Sequence, residues 1–178
     1  MRIIQAAEVG DFSDFIHTPD DEVDVVQGSW RHGGGRFSTF AVATCIALAA
    51  RNEYTRRGLI GHFSSISPIS MRNPQLMHEQ FDVRIFRQAV DYIPRLGPHA
   101  ATTIWLGGAA LYAEDSSATR FSKLADRQYA ELQISKMIAR TAIFDDALKI
   151  DWNTTENDLY IRLDTDLGEL TVQPIAEE

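Results

Sequence analysis

Apolar positions along this chain fall in short runs divided by polar tips, and most of the runs are too short for helices. Thr39 to Arg51 is nearly all small or aliphatic, Asn52 to Arg57 is polar, and Gly58 to Ser65 is apolar again. That pattern predicts a β-hairpin. Val23 to Trp30 alternates weakly around Gly28 and reads as a strand, and Arg31 to Gly35, with its three consecutive glycines, reads as a loop near it. Ala101 to Leu106 is β-rich and closed by Gly107-Gly108. Ala142 to Trp152 is a strand candidate interrupted by Asp145-Asp146, and Leu159–Leu163 with Glu169–Val172 around the turn Asp164–Gly168 predicts a closing hairpin. Two segments carry helical spacing. Asn73-Pro74 gives an N-cap and a first-turn proline ahead of Phe81, Ile85, Ala89 and Ile93, ending before Pro94. Ser122 to Ala139 places Leu124, Ala125, Gln128, Leu132 and Ala139 near one face, as in a helix covering a sheet. Hairpins mixed with two helices, without regular strand–helix alternation, predict an α+β fold: a layered sandwich of mixed and antiparallel strands with helices outside.

The hairpin holds the chain's one cysteine, Cys45. Opposed residues in an antiparallel pair have a constant sum of positions, so a tip at Asn52 to Thr55 with Arg51 facing Arg56 sets Cys45 opposite His62, with Cβ atoms roughly 4.5 to 5.5 Å apart. A longer tip, Asn52 to Arg57, sets the two diagonally at roughly 7 to 8 Å. Either register gives adjacent strands a thiol and an imidazole, the minimum for nucleophilic attack on a carbonyl. The alternative is equally open on these residues, because a free cysteine commonly acts as a small buried hydrophobe.

Composition narrows the classes. The 178 residues suit a single domain spanning 1–178, with 44% hydrophobic and 24% charged residues and no repeat or low-complexity tract. A net charge of −8 without any basic run argues against a nucleic-acid partner. No apolar stretch has the length of a signal peptide or a membrane span, and one cysteine makes no internal disulfide, so a cytoplasmic location without membrane insertion is expected.

Other polar features read more plainly. The acidic stretch Asp11 to Asp24 with His17 lacks recognisable metal-ligand spacing and reads as solvated. His32 reads as solvated, and His78 as a surface or capping residue in the early turns of the first helix. Ser64, Ser65, Ser67 and Ser70 mark a long loop; no Gly-x-Ser-x-Gly surrounds them, so they read as loop hydrogen-bonders or substrate contacts.

The hairpin resembles the CheD-type chemoreceptor glutamine deamidases, in which a Thr-x-Gly-x-Gly-Ser-Cys entry precedes a Gly-Gly-x-x-His-Phe strand. The family's threonine, cysteine and histidine fall on Thr39, Cys45 and His62, and Leu106 to Tyr112 resembles the family's Phe-Gly-Gly-Ala-x-Met-Phe segment. The likeness spans about residues 23–172. It implies a Cys45 nucleophile, His62 as its base and Thr39 as the residue orienting the imidazole or the substrate. It also implies hydrolysis of a protein glutamine to glutamate without metal or organic cofactor, and two partners, the cytoplasmic part of a chemoreceptor and a chemotaxis phosphatase. The family's glycines are replaced by Ala41, Ala43 and Leu59, its serine by Thr44, and its Gly-Gly-x-x-Gly-Arg by Asn153–Asp158. Those departures put the local backbone and any oxyanion hole in question. Two alternatives follow: a docking module that has lost catalysis, and a toxin-like deamidase with another protein target.

Overall fold

In a computed structural model, which describes residues 1–6, 20–73, 82–141, 143–155 and 157–176, the described strands sort into two five-stranded sheets. In chain order the elements are β1 (Arg2–Gln5), β2 (Glu22–Asp24), β3 (Ser29–Gly33), β4 (Arg36–Thr39), β5 (Ile46–Asn52), β6 (Arg57–Phe63), α1 (Val83–Tyr92), β7 (Thr102–Gly108), α2 (Ser117–Thr141), β8 (Leu148–Trp152), β9 (Asp158–Asp164) and β10 (Glu169–Ile175). The outer sheet runs β1-β10-β9-β4-β2 and the inner sheet β3-β6-β5-β7-β8. The β1–β10, β2–β4 and β7–β8 pairs are parallel and the rest antiparallel. The expected α+β layered sandwich is what forms.

Burial explains why the inner strands read as unbroken apolar runs. Every residue of β5 is buried, because one face meets the outer sheet and the other meets the helices. Ile46, Leu48 and Ala50 join Leu59, Phe63, Phe86 and Ile134 in the core beneath α1 and α2. The opposite face, Cys45, Ala47 and Ala49, joins Ile60 and Trp105 against Phe37, Ile161 and Leu163 of the outer sheet. Small residues here make room for a large neighbour: Ala49 pairs directly with Trp105, which is fully buried. Strand β9, in the outer sheet, shows the alternation expected of a sheet with one solvated face.

Several sequence expectations need correction. The run Thr39–Arg51 is not one strand: Thr39 ends β4 in the outer sheet, a turn follows, and β5 begins only at Ile46. Val23–Trp30 likewise splits at the turn carrying Gly28, whose φ is 76°. The predicted loop Arg31–Gly35 is largely strand, since Arg31 to Gly33 complete β3 and pair with β6. Gly107 and Gly108 do close β7, as its last two residues. On α2, Leu124 and Leu132 are 39% and 49% exposed. The buried face passes through Ser122, Asp126, Ala130 and Ile134, because polar Ser122 and Asp126 have partners in the interior that hydropathy does not register. The N-terminal strand β1 was not anticipated. The helix predicted from Asn73-Pro74 is described from Val83 onward, where Phe86, Ala89 and Ile93 are buried, while Pro74 to Phe81, with His78, lie outside the described residues, as does the acidic stretch up to Pro19.

Candidate functional site

Thr39, Cys45 and His62 are brought to the interface of the two sheets by three separate strand ends. The β5–β6 ladder pairs Arg51 with Gly58 and Ala47 with His62. This is the register of the longer tip, so Cys45 stands diagonal to His62 and not directly opposite. Cys45 sits one residue before β5 and shares its buried cluster with Ala47, which pairs with His62. Thr39 reaches the imidazole from the outer sheet: its Oγ1 lies 2.9 Å from His62 Nδ1.

The chemistry of that bond depends on which nitrogen carries the proton. If Nδ1–H donates to Thr39 Oγ1, Nε2 presents a lone pair; if the hydroxyl donates, Nε2 carries the proton. His62 Nε2 is buried and has no hydrogen-bond partner among the described residues. Burial also lowers the imidazole's pKa to about 4, so the ring is neutral at physiological pH. An imidazolium here needs a nearby anion to stabilise it.

The turn before β5 is shaped by backbone contacts. Ala41 sits at φ 56°, in the left-handed region, at the position of a glycine in the resembled motif. Ala43, at the second such position, is not among the residues of positive φ. Gly108, at φ 85°, lies so close to Cys45 that an added Cβ would stand 2.4 Å from the Cys45 carbonyl oxygen. Ala109 N–H donates to that oxygen at 2.6 Å and Ala110 N–H to the Ala43 carbonyl at 2.9 Å. Gly108 therefore serves a close approach to the cysteine turn, whereas Gly107 makes room for the Trp105 ring and the Asp151 carbonyl. Thr44 lies in this turn immediately before Cys45.

Beyond His62, the serine loop is held from two helices. Asp82 Oδ2 accepts from Ser64 N–H at 2.8 Å, and Asp126 accepts from the Ile66 and Ser67 N–H groups and, at 2.8 Å, from the Ser70 hydroxyl. These serines are the loop hydrogen-bonders expected of them. Burial raises the Asp126 pKa to about 6 against the opposing pull of those bonds. His32, exposed on β3, stacks on Tyr92 with ring centroids 4.1 Å apart and is remote in register from the thiol.

A cavity of about 200 Å³ opens on His62 and Thr39, lined also by Asp24, Val25, Val26, Gln27, Phe40 and Ala41. Cys45 is not among its lining residues. Sites for drug-sized ligands run to roughly 300–1,000 Å³, so this space suits one inserted side chain better than a cofactor. Asp24, read from sequence as part of a solvated acidic stretch, is thus a wall of the cavity; only the fold, through the β2–β4 pairing, could reveal that. Among the described residues no group of three or more His, Cys, Asp or Glu gathers to hold a metal ion, and no helix is long and apolar enough to cross a membrane.

No protein-family model and no curated protein matches the chain. Among solved structures it is similar to the Bacillus licheniformis hypothetical protein YfiH, at 11% identity with a TM-score of 0.40, over 85% of this chain and 62% of that one. The chain therefore spans less than two thirds of that protein's length, and any functional reading rests on the geometry of Thr39, Cys45 and His62.

Proposed function

We propose that this chain is a cysteine-dependent amidohydrolase that converts a glutamine carboxamide of a protein to glutamate. The observation that carries the reading is the buried His62, held by Thr39 through Nδ1, with an unpartnered Nε2, on a strand whose pairing partner Ala47 shares a buried cluster with Cys45. In the tautomer with Nδ1–H donating to Thr39, Nε2 takes the thiol proton, and the thiolate and imidazolium stabilise one another where neither would persist alone. The thiolate attacks the amide carbon, and the Thr44 N–H is a backbone donor for the oxyanion. The C–N bond breaks as the imidazolium gives its proton to the departing ammonia. Water, activated by the neutral imidazole, then opens the thioester to glutamate and restores the thiol. Neither metal nor organic cofactor enters these steps.

The resemblance to CheD-type deamidases supplies the substrate class: a chemoreceptor cytoplasmic segment in a cytoplasmic setting, with a chemotaxis phosphatase as a second partner. A toxin-like deamidase with another protein target would use the same pair of residues. One observation favours a docking module without catalysis: Cys45 does not line the cavity that His62 lines. Incubation with a panel of glutamine-bearing receptor peptides, read by mass spectrometry, separates the two. Deamidation adds about 1 Da per glutamine and requires the thiol, so the gain is absent with Cys45→Ala. Binding of the peptides by the wild-type protein without any mass gain would establish the docking reading instead.

A further inference from the structure

The two helices meet along a groove that the candidate site does not use. α1 contributes Arg87, Val90 and Asp91 to its lining and α2 contributes Lys136, Met137 and Arg140, each set at the three- and four-residue spacing of one helix face. The cavity between them holds about 330 Å³, more than the one beside His62. Val90 and Met137 are buried and form its floor, whereas Arg87, Lys136 and Arg140 are exposed and form its rim. The helices cover the face of the inner sheet opposite the seam that holds His62, so this is a separate place in the molecule.

Three cations and one carboxylate line this groove, in a chain whose net charge is −8. The carboxylate does not neutralise them: Asp91 forms no ion pair with any of the three among the described residues, whose ion pairs lie elsewhere. Two of the cations are anchored in a way that frees their ends. Arg87 donates from Nε to the Tyr129 hydroxyl at 2.6 Å, its guanidinium 5.6 Å from the centre of that ring, and Arg140 donates from Nε to the Lys136 carbonyl at 3.1 Å. The terminal nitrogens of both guanidiniums have no partner among the described residues. The helix dipole accounts for Arg140 in the last turn of α2, but not for Arg87 in the middle of α1. Guanidiniums held at Nε present their remaining donors in the fixed fork that matches phosphoryl oxygens, and an ammonium adds a compact point charge. We propose that the α1–α2 groove is a binding site for a small anion with two adjacent phosphoryl groups, held by the terminal nitrogens of Arg87 and Arg140 and by Lys136, over the apolar floor of Val90 and Met137. The proposal stands apart from the amidohydrolase reading, and neither depends on the other.

The test is calorimetric titration of the full chain with sodium pyrophosphate at a constant ionic strength of about 0.15 M, where attraction to scattered surface charge is largely screened. Saturable binding with a Kd below about 1 mM is expected. The double variant Lys136→Gln with Arg140→Gln should weaken it by at least about tenfold, and Arg87→Gln by at least about threefold. Arg84→Gln removes an exposed cation of α1 that lies outside the groove and should leave the affinity within about twofold. Asp91→Asn removes the opposing charge and should tighten binding by about threefold; because it predicts a gain, it separates loss of the site from loss of the fold. Absence of saturable binding by the wild type overturns the proposal. So does a loss in Arg84→Gln as large as that in the groove variants, which would mark a general attraction to basic surface. A tetra-aspartate peptide that binds the groove more tightly than pyrophosphate overturns the phosphoryl assignment in favour of a carboxylate-bearing partner.

Discussion

His62 is bonded at one ring nitrogen and unpartnered at the other, and the proposed role as a base rests on that asymmetry. Nδ1 is fixed by Thr39, Nε2 is unpartnered, and burial keeps the ring neutral. A buried polar atom without a partner costs on the order of 1–3 kcal/mol, which a purely structural residue would ordinarily avoid. Ala41 shows a second residue-scale cost. A left-handed conformation costs an alanine roughly 1–2 kcal/mol, more than the roughly 0.4–1 kcal/mol by which alanine restricts the unfolded chain relative to glycine. Ala41→Gly is therefore expected to raise the melting temperature by about 1–3 °C, while Ala43→Gly, at a position of ordinary φ, lowers it by a comparable amount. Paired thermal melts check this, and a fall in both variants would mean that the turn gains nothing from a glycine at position 41.

Among the elements, the segment after β6 decides how firmly the imidazole is placed. Asp82 and Asp126 accept backbone N–H groups from Ser64, Ile66 and Ser67, so α1 and α2 both hold the loop that leaves His62. The two buried titrating groups respond to acid in opposite directions. The Asp126 carboxyl is raised to about 6 in the folded chain, so its contribution is present at low pH and lost as pH rises through about 6. The His62 ring is lowered to about 4, so its contribution is present above the ordinary histidine range and lost as pH falls toward 4. The stability of the wild type relative to Asp126→Asn should accordingly grow as pH falls from about 7 to 4. Urea unfolding of both proteins across that range measures the gap, and a gap that shrinks on acidification contradicts the raised carboxyl.

The same scale shows what the chain alone could reveal. The runs now assigned to β5, β6, β7, β9 and β10 were legible because central strands are continuously apolar and outer strands alternate. The break between β4 and β5 was not, because Phe40 to Thr44 are as apolar as the strand that follows and only the positive φ at Ala41 turns the chain. The buried face of α2 was misread because Ser122 and Asp126 enter the interior to bind the serine loop. The adjacency of the strand ends bearing Cys45 and His62 was legible, but the choice between the opposite and the diagonal register was not, because it turns on the tip, and the ladder adopts the register of the longer one. Asp24 was invisible as a cavity wall, since its neighbours there, Thr39 and His62, are distant in sequence.

For the molecule as a whole, layering places the chemistry. The inner sheet is sandwiched between helices and outer sheet, so the imidazole, bonded by Thr39 from across the gap, and Cys45, buried in the cluster between the sheets, both belong to the seam. Burial in that seam strengthens any thiolate–imidazolium pair, and a cavity of about 200 Å³ opens on its His62 and Thr39. The central claim is that His62 ionises Cys45. Its most direct test is the pH dependence of Cys45 alkylation by iodoacetamide in the wild-type protein and in His62→Ala. The account predicts a midpoint below the ordinary thiol value of about 8.5 in the wild type, moving up toward or beyond that value when the imidazole is removed. A wild-type midpoint at or above about 8.5 that is indifferent to His62→Ala would contradict it.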